Sequence, residues 1–247
     1  MNADEYANLD RVEREHWYYA GKRELVRGWI RRIAGLTRGS LLLDCGAGTG
    51  LFAAGMRDAC GVRVLDDHAE SLAILRTRFA PGEIIEGPAT RIPLPAAAVD
   101  CVTVLDVLEH IKDHEAAVRE IHRVLRPSGC VVATVPAMMT LWGYWDTALH
   151  HHRRYTAPEL RVLFPEPDWE LLHLNYTNVV VFPAVWLVRR WQRWRNSGAQ
   201  SRMEDKIPPG WLNGFLRWLF IRTGLMRGVR FPFGVSLLLV ARKRVSP

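Results

Sequence analysis

Cysteine is scarce in this sequence of 247 residues: there are four, Cys45, Cys60, Cys101 and Cys130, and none has C-x-x-C spacing. That argues against a disulfide framework and against a zinc ribbon. Each cysteine lies in or beside an apolar stretch and reads as a small core filler in a reducing compartment. No run of about eighteen apolar residues occurs, so no segment is expected to cross a bilayer. The start, Met1-Asn2-Ala3-Asp4-Glu5, is polar and acidic and lacks the pattern of a secretory signal, which makes the cytoplasm the expected location. Internal repeats and low-complexity tracts are also missing, and a solenoid is therefore not expected.

What is present is an alternation of strand and helix signals, long enough to bury a large core in one α/β sheet with helices on both faces. The most informative stretch is Leu41-Leu42-Leu43-Asp44-Cys45-Gly46-Ala47-Gly48-Thr49-Gly50, an apolar strand running into alternating glycines. Glycine lets the backbone turn off a strand and approach a ligand, while the following helix offers unpaired N–H groups. A dinucleotide site wants G-x-G-x-x-G and pyrophosphate on the helix N-terminus. Here the spacing is G-x-G-x-G, and Asp44 precedes it. A carboxylate there repels pyrophosphate and attracts a sulfonium, favouring S-adenosylmethionine over a dinucleotide.

Downstream, Cys60 to Asp66 reads as a second strand ending in an acid, placed for ribose hydroxyls about twenty residues after the loop, with Asp67 as the alternative. Further strands are predicted at 83–86, at Asp100 to Asp106 and at Val131 to Val135. With Val107-Leu108-Glu109-His110 and Leu125-Arg126-Pro127-Ser128-Gly129, these segments resemble the class I S-adenosylmethionine-dependent methyltransferases of the small-molecule branch. The resemblance implies a doubly wound, seven-stranded Rossmann-like sheet. It implies that the loop Asp44, Gly46, Ala47, Gly48 and Gly50 holds the methionine end of the cofactor, Asp66 the ribose, and the backbone near Leu105 and Asp106 the amino group. Gly87-Pro88-Ala89 stands where the family usually has Gly-Asp-Ala, which leaves the backbone of Ala89 and Thr90 for adenine.

The segment His16-Trp17-Tyr18-Tyr19-Ala20-Gly21-Lys22-Arg23 is similar to one that folds over the cofactor in this branch. The resemblance implies that Tyr18, with Lys22 or Arg23, meets the cofactor's carboxyl end. A second reading is that the aromatics staple a helix over Leu25–Ile33 onto the sheet.

Methyl transfer is an in-line displacement, so candidate bases belong at the carboxyl edge of the strands. One cluster is Glu109 with His110. The other runs from Trp142 through Asp146 to His151, Arg153 and Tyr155. There Asp146 can orient His151, His151 can take a proton from the acceptor, and Trp142, Arg153 and Tyr155 are candidate substrate contacts. Alternatively, Arg153, Arg154 and Tyr155 brace a helix whose N-cap is Thr156, with Glu159 completing the box. Three successive histidines, His150 to His152, raise the question of a metal. Adjacent residues do not easily share one ion, and no cysteine or carboxylate is spaced to complete a site, so no metal is expected.

Strands predicted at Trp169–Leu174 and Val235–Arg242 normally form a hairpin, yet a long basic, aromatic insertion separates them. Residues 175–232 carry ten basic and two acidic side chains, and as the whole chain is +7 the rest is close to neutral. Val179–Val188, leading into Arg189-Arg190-Trp191-Gln192-Arg193-Trp194-Arg195, and Trp211–Ile221 read as apolar helices, with a mobile loop over Asn196–Gly210. Such helices either lie on an anionic membrane surface or pack on the catalytic domain as a lid or homodimer contact. Arginine with interleaved tryptophan can also grip RNA, but no RNA-binding module accompanies it, and nucleic acid is not the expected partner.

The expected organisation is a helical cap (1–36), a cofactor-binding α/β domain (37–175), the insertion (176–232) and a last strand with its tail (233–247). The expected activity is methyl transfer from S-adenosylmethionine, leaving S-adenosylhomocysteine, to a small or lipid-like acceptor, most readily at oxygen. The alternatives are a regulatory or otherwise non-methylating S-adenosylmethionine-binding protein, a relative turned to another reaction such as cyclisation, and an RNA methyltransferase.

Overall fold

β1 (Leu41–Cys45) and β4 (Val99–Leu105) are apolar almost throughout because the sheet around them is covered on both faces, as parallel strands require. The computed structural model describes residues 12–194 and 206–245. With β2 (Gly61–Asp66), β3 (Ile84–Glu86), β5 (Leu125–Pro136), β6 (Trp169–Thr177) and β7 (Ser236–Lys243), these strands form one seven-stranded sheet in the order β3-β2-β1-β4-β5-β7-β6. The first five are parallel, while β7 pairs antiparallel with both β5 and β6. Strand order reverses between β1 and β4, so the loops leaving these two strands diverge and open a crevice at their carboxyl ends.

One layer of core lies on each face. Leu43, Val102, Val131 and Leu239 pack toward Ile121 and Tyr155, whereas Leu42, Val64, Val132 and Leu238 pack toward Leu25, Trp29 and Leu75. Helix α1 (Trp17–Ile33) covers part of the second face and begins well before the expected Leu25. His16 caps it by accepting a hydrogen bond from Tyr18 N, which places the aromatic run Trp17–Tyr19 inside the helix. Helices α2 (Leu51–Ala54), α3 (Ala69–Arg78) and α4 (His114–Val124) complete the parallel crossovers. β5 starts at Leu125 instead of Val131, and β6 runs on to Thr177 past the expected Leu174.

After β5 come α5 (Tyr144–Ala148) and α6 (Ala157–Val162), the latter capped by Glu159, which accepts from both Thr156 N and Thr156 Oγ1. The long insertion forms α7 (Phe182–Trp194) and α8 (Gly210–Gly224). Most of the stretch expected as a loop between them lies outside the described residues, as does the acidic start of the chain. α8 docks along α1: Trp29 Nε1 donates to Gly224 O at 3.0 Å, Trp17 N donates to Asn213 Oδ1 at 2.8 Å, and Asn213 Nδ2 donates to Glu15 O at 2.8 Å. Arg217 of α8 also pairs with Glu24. Among the described residues no helix is long and apolar enough to cross a membrane.

Candidate functional site

The turn after β1 is built by its own backbone. Gly46 N and Ala47 N donate to Leu65 O at 2.8 and 3.0 Å, which sets the loop against β2. Gly46 has φ +71°, and a Cβ there would come within 2.5 Å of Val107, so the loop closes against the segment after β4 only with glycine at this position. At Gly48, φ +57°, a Cβ would meet nothing within 4 Å. The loop is therefore open on the Gly48 side at the crevice.

Asp66 ends β2 beside this loop. Its Oδ2 accepts from Gly48 N at 2.9 Å, and its Oδ1 from Asp67 N and His68 N at 3.0 and 3.1 Å. The carboxylate thus pins the loop and keeps lone pairs for a hydroxyl donor. Asp67 is half exposed and lies 2.9 Å from His68 Nδ1. Ala89 is buried and Thr90 half-buried in the turn after β3, where Gly87 N donates to Asp66 O at 3.0 Å.

Asp44 is buried under the loop and accepts from Thr103 Oγ1 at 2.7 Å. Burial pushes its carboxyl up to about 7, against the pull of the Thr103 hydrogen bond.

From α1, the Lys22 ammonium reaches Asp106 Oδ2 at 2.6 Å. Burial alone would lower this ammonium, but Asp106 and Tyr18 outweigh it and hold it above its ordinary value. Asp106, at φ +55°, also accepts from Thr134 Oγ1 at 2.9 Å, and Tyr18 OH lies 3.2 Å from Ser236 Oγ. Burial, reinforced by Asp106, pushes the Tyr18 phenol up to about 12. Arg23 turns elsewhere, donating to Glu13 O, while the Glu13 carboxylate meets Thr49 Oγ1 of the glycine loop. Of the two basic candidates on α1, Lys22 faces the segment after β4 and Arg23 does not.

The second cluster centres on Asp146, which is fully buried. Its Oδ1 lies 2.9 Å from His151 Nδ1 and accepts from Arg154 Nε at 2.7 Å; its Oδ2 accepts from Arg154 Nη2 at 3.0 Å and from Gly143 N at 2.8 Å. Burial opposes the charge, yet the hydrogen bonds from His151 and Arg154 prevail and hold the carboxyl down at about 2. The Asp146 carboxylate faces His151 Nδ1, which leaves Nε2 as the ring nitrogen turned away from Asp146. His110 comes in from the loop after β4, its ring 4.5 Å from that of His151 and edge to face. Burial, reinforced by His151, pushes the His110 imidazole down to about 4.

Three candidate substrate contacts fare differently. Trp142 is half-buried in the same loop, which α7 covers by laying the Arg189 guanidinium on Gly143. Arg153 donates to Lys112 O at 3.0 Å, away from Asp146. Tyr155 is buried, with its hydroxyl donating to Leu108 O at 3.2 Å and lying 2.7 Å from His114 Nδ1, so it braces the loop after β4. The arginine on Asp146 is Arg154, which the sequence pattern assigns to bracing the helix that follows. The sequence carries no signal that tells the two apart, since both are arginines in an irregular segment.

Residues 43–133 match the family described as methyltransferase domain. Among curated proteins, the chain is 33% identical over 163 residues to a probable S-adenosylmethionine-dependent methyltransferase of Mycolicibacterium smegmatis, covering 65% of this chain and 62% of that one. It is 32% identical over 154 residues to the ubiquinone/menaquinone biosynthesis C-methyltransferase of Rubrivivax gelatinosus, covering 56% and 61%. The chain thus spans less than two thirds of the length of these relatives. Among solved structures, it superposes with TM-score 0.62 and 18% identity on a chain from a complex between the Trm112 methyltransferase activator and a methyltransferase of Haloferax volcanii, covering 98% of this chain and 95% of that one.

Proposed function

We propose that this chain, whose residues 43–133 match a methyltransferase domain, is a class I S-adenosylmethionine-dependent methyltransferase that methylates a small or lipid-like acceptor, at oxygen, from the side of the crevice where His151 stands. S-adenosylmethionine supplies an electrophilic methyl group on a cationic sulfur. The glycine loop and Asp66 would hold it, with Asp44 beneath, Ala89 and Thr90 toward adenine, and Leu105, Asp106, Tyr18 and Lys22 toward its methionine end. Bound there, it would donate its methyl group to the acceptor oxygen, the carbon–sulfur bond breaking with its electron pair left on sulfur. The acceptor's proton passes to His151 Nε2.

The observation that carries this reading is the Asp146–His151 contact of 2.9 Å with His110 against it, all beside the loop after β4. A carboxylate that fixes the tautomer of a half-buried imidazole leaves a lone pair at the free nitrogen. Alignment of donor and acceptor supplies the larger share of the acceleration, roughly 7–11 kcal/mol, and the base about 10²–10⁴-fold.

A lipid-like acceptor is supported by the outer face of the insertion. Leu187, Trp191 and Trp194 on α7, and Trp211, Phe215 and Trp218 on α8, repeat at i, i+4, i+7 and are exposed, Trp194 by 82% and Trp211 by 77%. α8 packs one side on α1 and keeps Trp211, Phe215 and Trp218 exposed on the surface. Arginines flank this stripe, as suits peripheral contact with an anionic membrane. A relative named for ubiquinone/menaquinone biosynthesis agrees with an acceptor that lives in lipid. The test is formation of S-adenosylhomocysteine by the purified chain with phenolic and prenylated acceptors presented in vesicles. Turnover with such an acceptor is expected, and donor binding without turnover across the panel would favour a regulatory role.

A further inference from the structure

Glu109 is fully buried, and neither of its carboxylate oxygens has a hydrogen-bond partner. A buried carboxyl left in this state is unfavourable unless a cation or a proton completes it. His110 stands next to it in the chain, and His151 arrives from the segment after β5. One ligand atom from each of these three residues lies within 4.8 Å of the other two. We propose that Glu109, His110 and His151 form a binding site for a divalent transition-metal ion.

The surroundings have the features of a metal site beyond the three donors. Ligating histidines hand their second ring N–H to a carboxylate or a carbonyl, which fixes the tautomer and aims the free nitrogen at the ion. His151 has this arrangement, its Nδ1 lying 2.9 Å from Asp146 Oδ1. Asp146 is in turn held by Arg154 and Gly143 N, so the outer shell is itself anchored. Two imidazoles and one carboxylate select zinc, manganese, iron or cobalt over magnesium and calcium, which prefer oxygen. Three protein ligands leave positions open, as reactive sites do, and an oxygen of the acceptor is the natural occupant. The spacing of the histidine run offered no carboxylate; the fold supplies one from the loop after β4.

A second group, Asp66, Asp67 and His68, also brings three donors within 4.8 Å, but its Asp67 and His68 are exposed and Asp66 is satisfied by backbone N–H groups. It lacks the buried, unpartnered carboxylate and serves as the internal control. Metal binding does not require the methyl-transfer reading. With the ion bound His151 would be a ligand, so the proton-acceptor role proposed above would belong to the metal-free protein.

The experiment is calorimetric titration of the tag-free, metal-stripped full chain with Zn²⁺, alongside Co²⁺ followed by its visible absorption. One ion per chain is expected, with a Co²⁺ spectrum of low coordination number. E109Q and H110A should each weaken binding at least about tenfold, D146N about tenfold to a hundredfold through its outer-shell role, and H68A should change nothing. Circular dichroism identifies a variant that has failed to fold, in which case the other of E109Q and H110A decides. Absence of stoichiometric binding overturns the site, as does binding that survives both E109Q and H110A or is lost in H68A. Because E109Q leaves the Asp146–His151 contact in place, loss of metal with retained turnover overturns only a role for the ion in catalysis.

Discussion

Lys22 Nζ lies 2.6 Å from Asp106 Oδ2 and so ties α1 to the loop after β4, between residues far apart in the chain. The pair is mostly out of water, with the lysine side chain 12% and the aspartate 25% exposed. Asp106 remains anionic because Lys22 stays; its carboxyl sits below the ordinary range although burial alone would raise it.

Removing Lys22 should therefore leave an uncompensated charge. K22M is expected to lower unfolding free energy at the low end of the roughly 3–5 kcal/mol seen when one partner of a buried pair is deleted, given the residual exposure of Asp106. The double variant K22M/D106N should recover part of the loss, as measured by urea unfolding. Equal stability of K22M and the unaltered protein would remove the pair from the fold's supports.

Asp44 predicts a pH dependence. Its folded carboxyl titrates at about 7, well above its ordinary value, so between those two pH values the folded chain holds a proton that the unfolded chain has lost. The contribution to stability is thus full below about pH 4 and falls as pH rises to 7, at about 1.4 kcal/mol per unit, then levels off. D44N should flatten this slope in unfolding measured from pH 5 to 8. S-adenosylmethionine, a cation, should also bind more tightly as pH rises through 7, while neutral S-adenosylhomocysteine gains less; identical pH profiles for the two would refute a sulfonium contact.

His151 separates catalysis from donor binding. H151A is expected to reduce kcat by about 10²–10⁴-fold with S-adenosylmethionine affinity nearly unchanged. Full activity in H151A would exclude it as proton acceptor.

The exposed stripe can be tested alone. Flotation with vesicles containing anionic lipid should carry the unaltered chain at low salt and lose it at high salt. W211S/F215S/W218S should sediment free of lipid while keeping the melting temperature within a few degrees, since each of these side chains is more than half exposed. No flotation at low salt would end the membrane reading.

The glycine-rich turn, Asp44 before it, the acid ending β2 and the order of strand signals were all legible in the sequence, because each is encoded by neighbours within one turn or strand. The insertion was legible too, from its charge and its tryptophans. What the linear chain does not hold is ionisation and company. Whether Asp44 is charged depends on how much water the loop above it excludes, and whether Lys22 or Arg23 faces the crevice depends on the rotation of α1 against the sheet and α8. Glu109, His110 and His151 become one cluster only when β4 and β5 lie side by side, and only the folded segment shows Arg154 on Asp146 and Arg153 on Lys112 O. Local pattern fixes elements, whereas desolvation and contacts between distant residues, on which the chemistry rests, exist only once the chain has closed on itself.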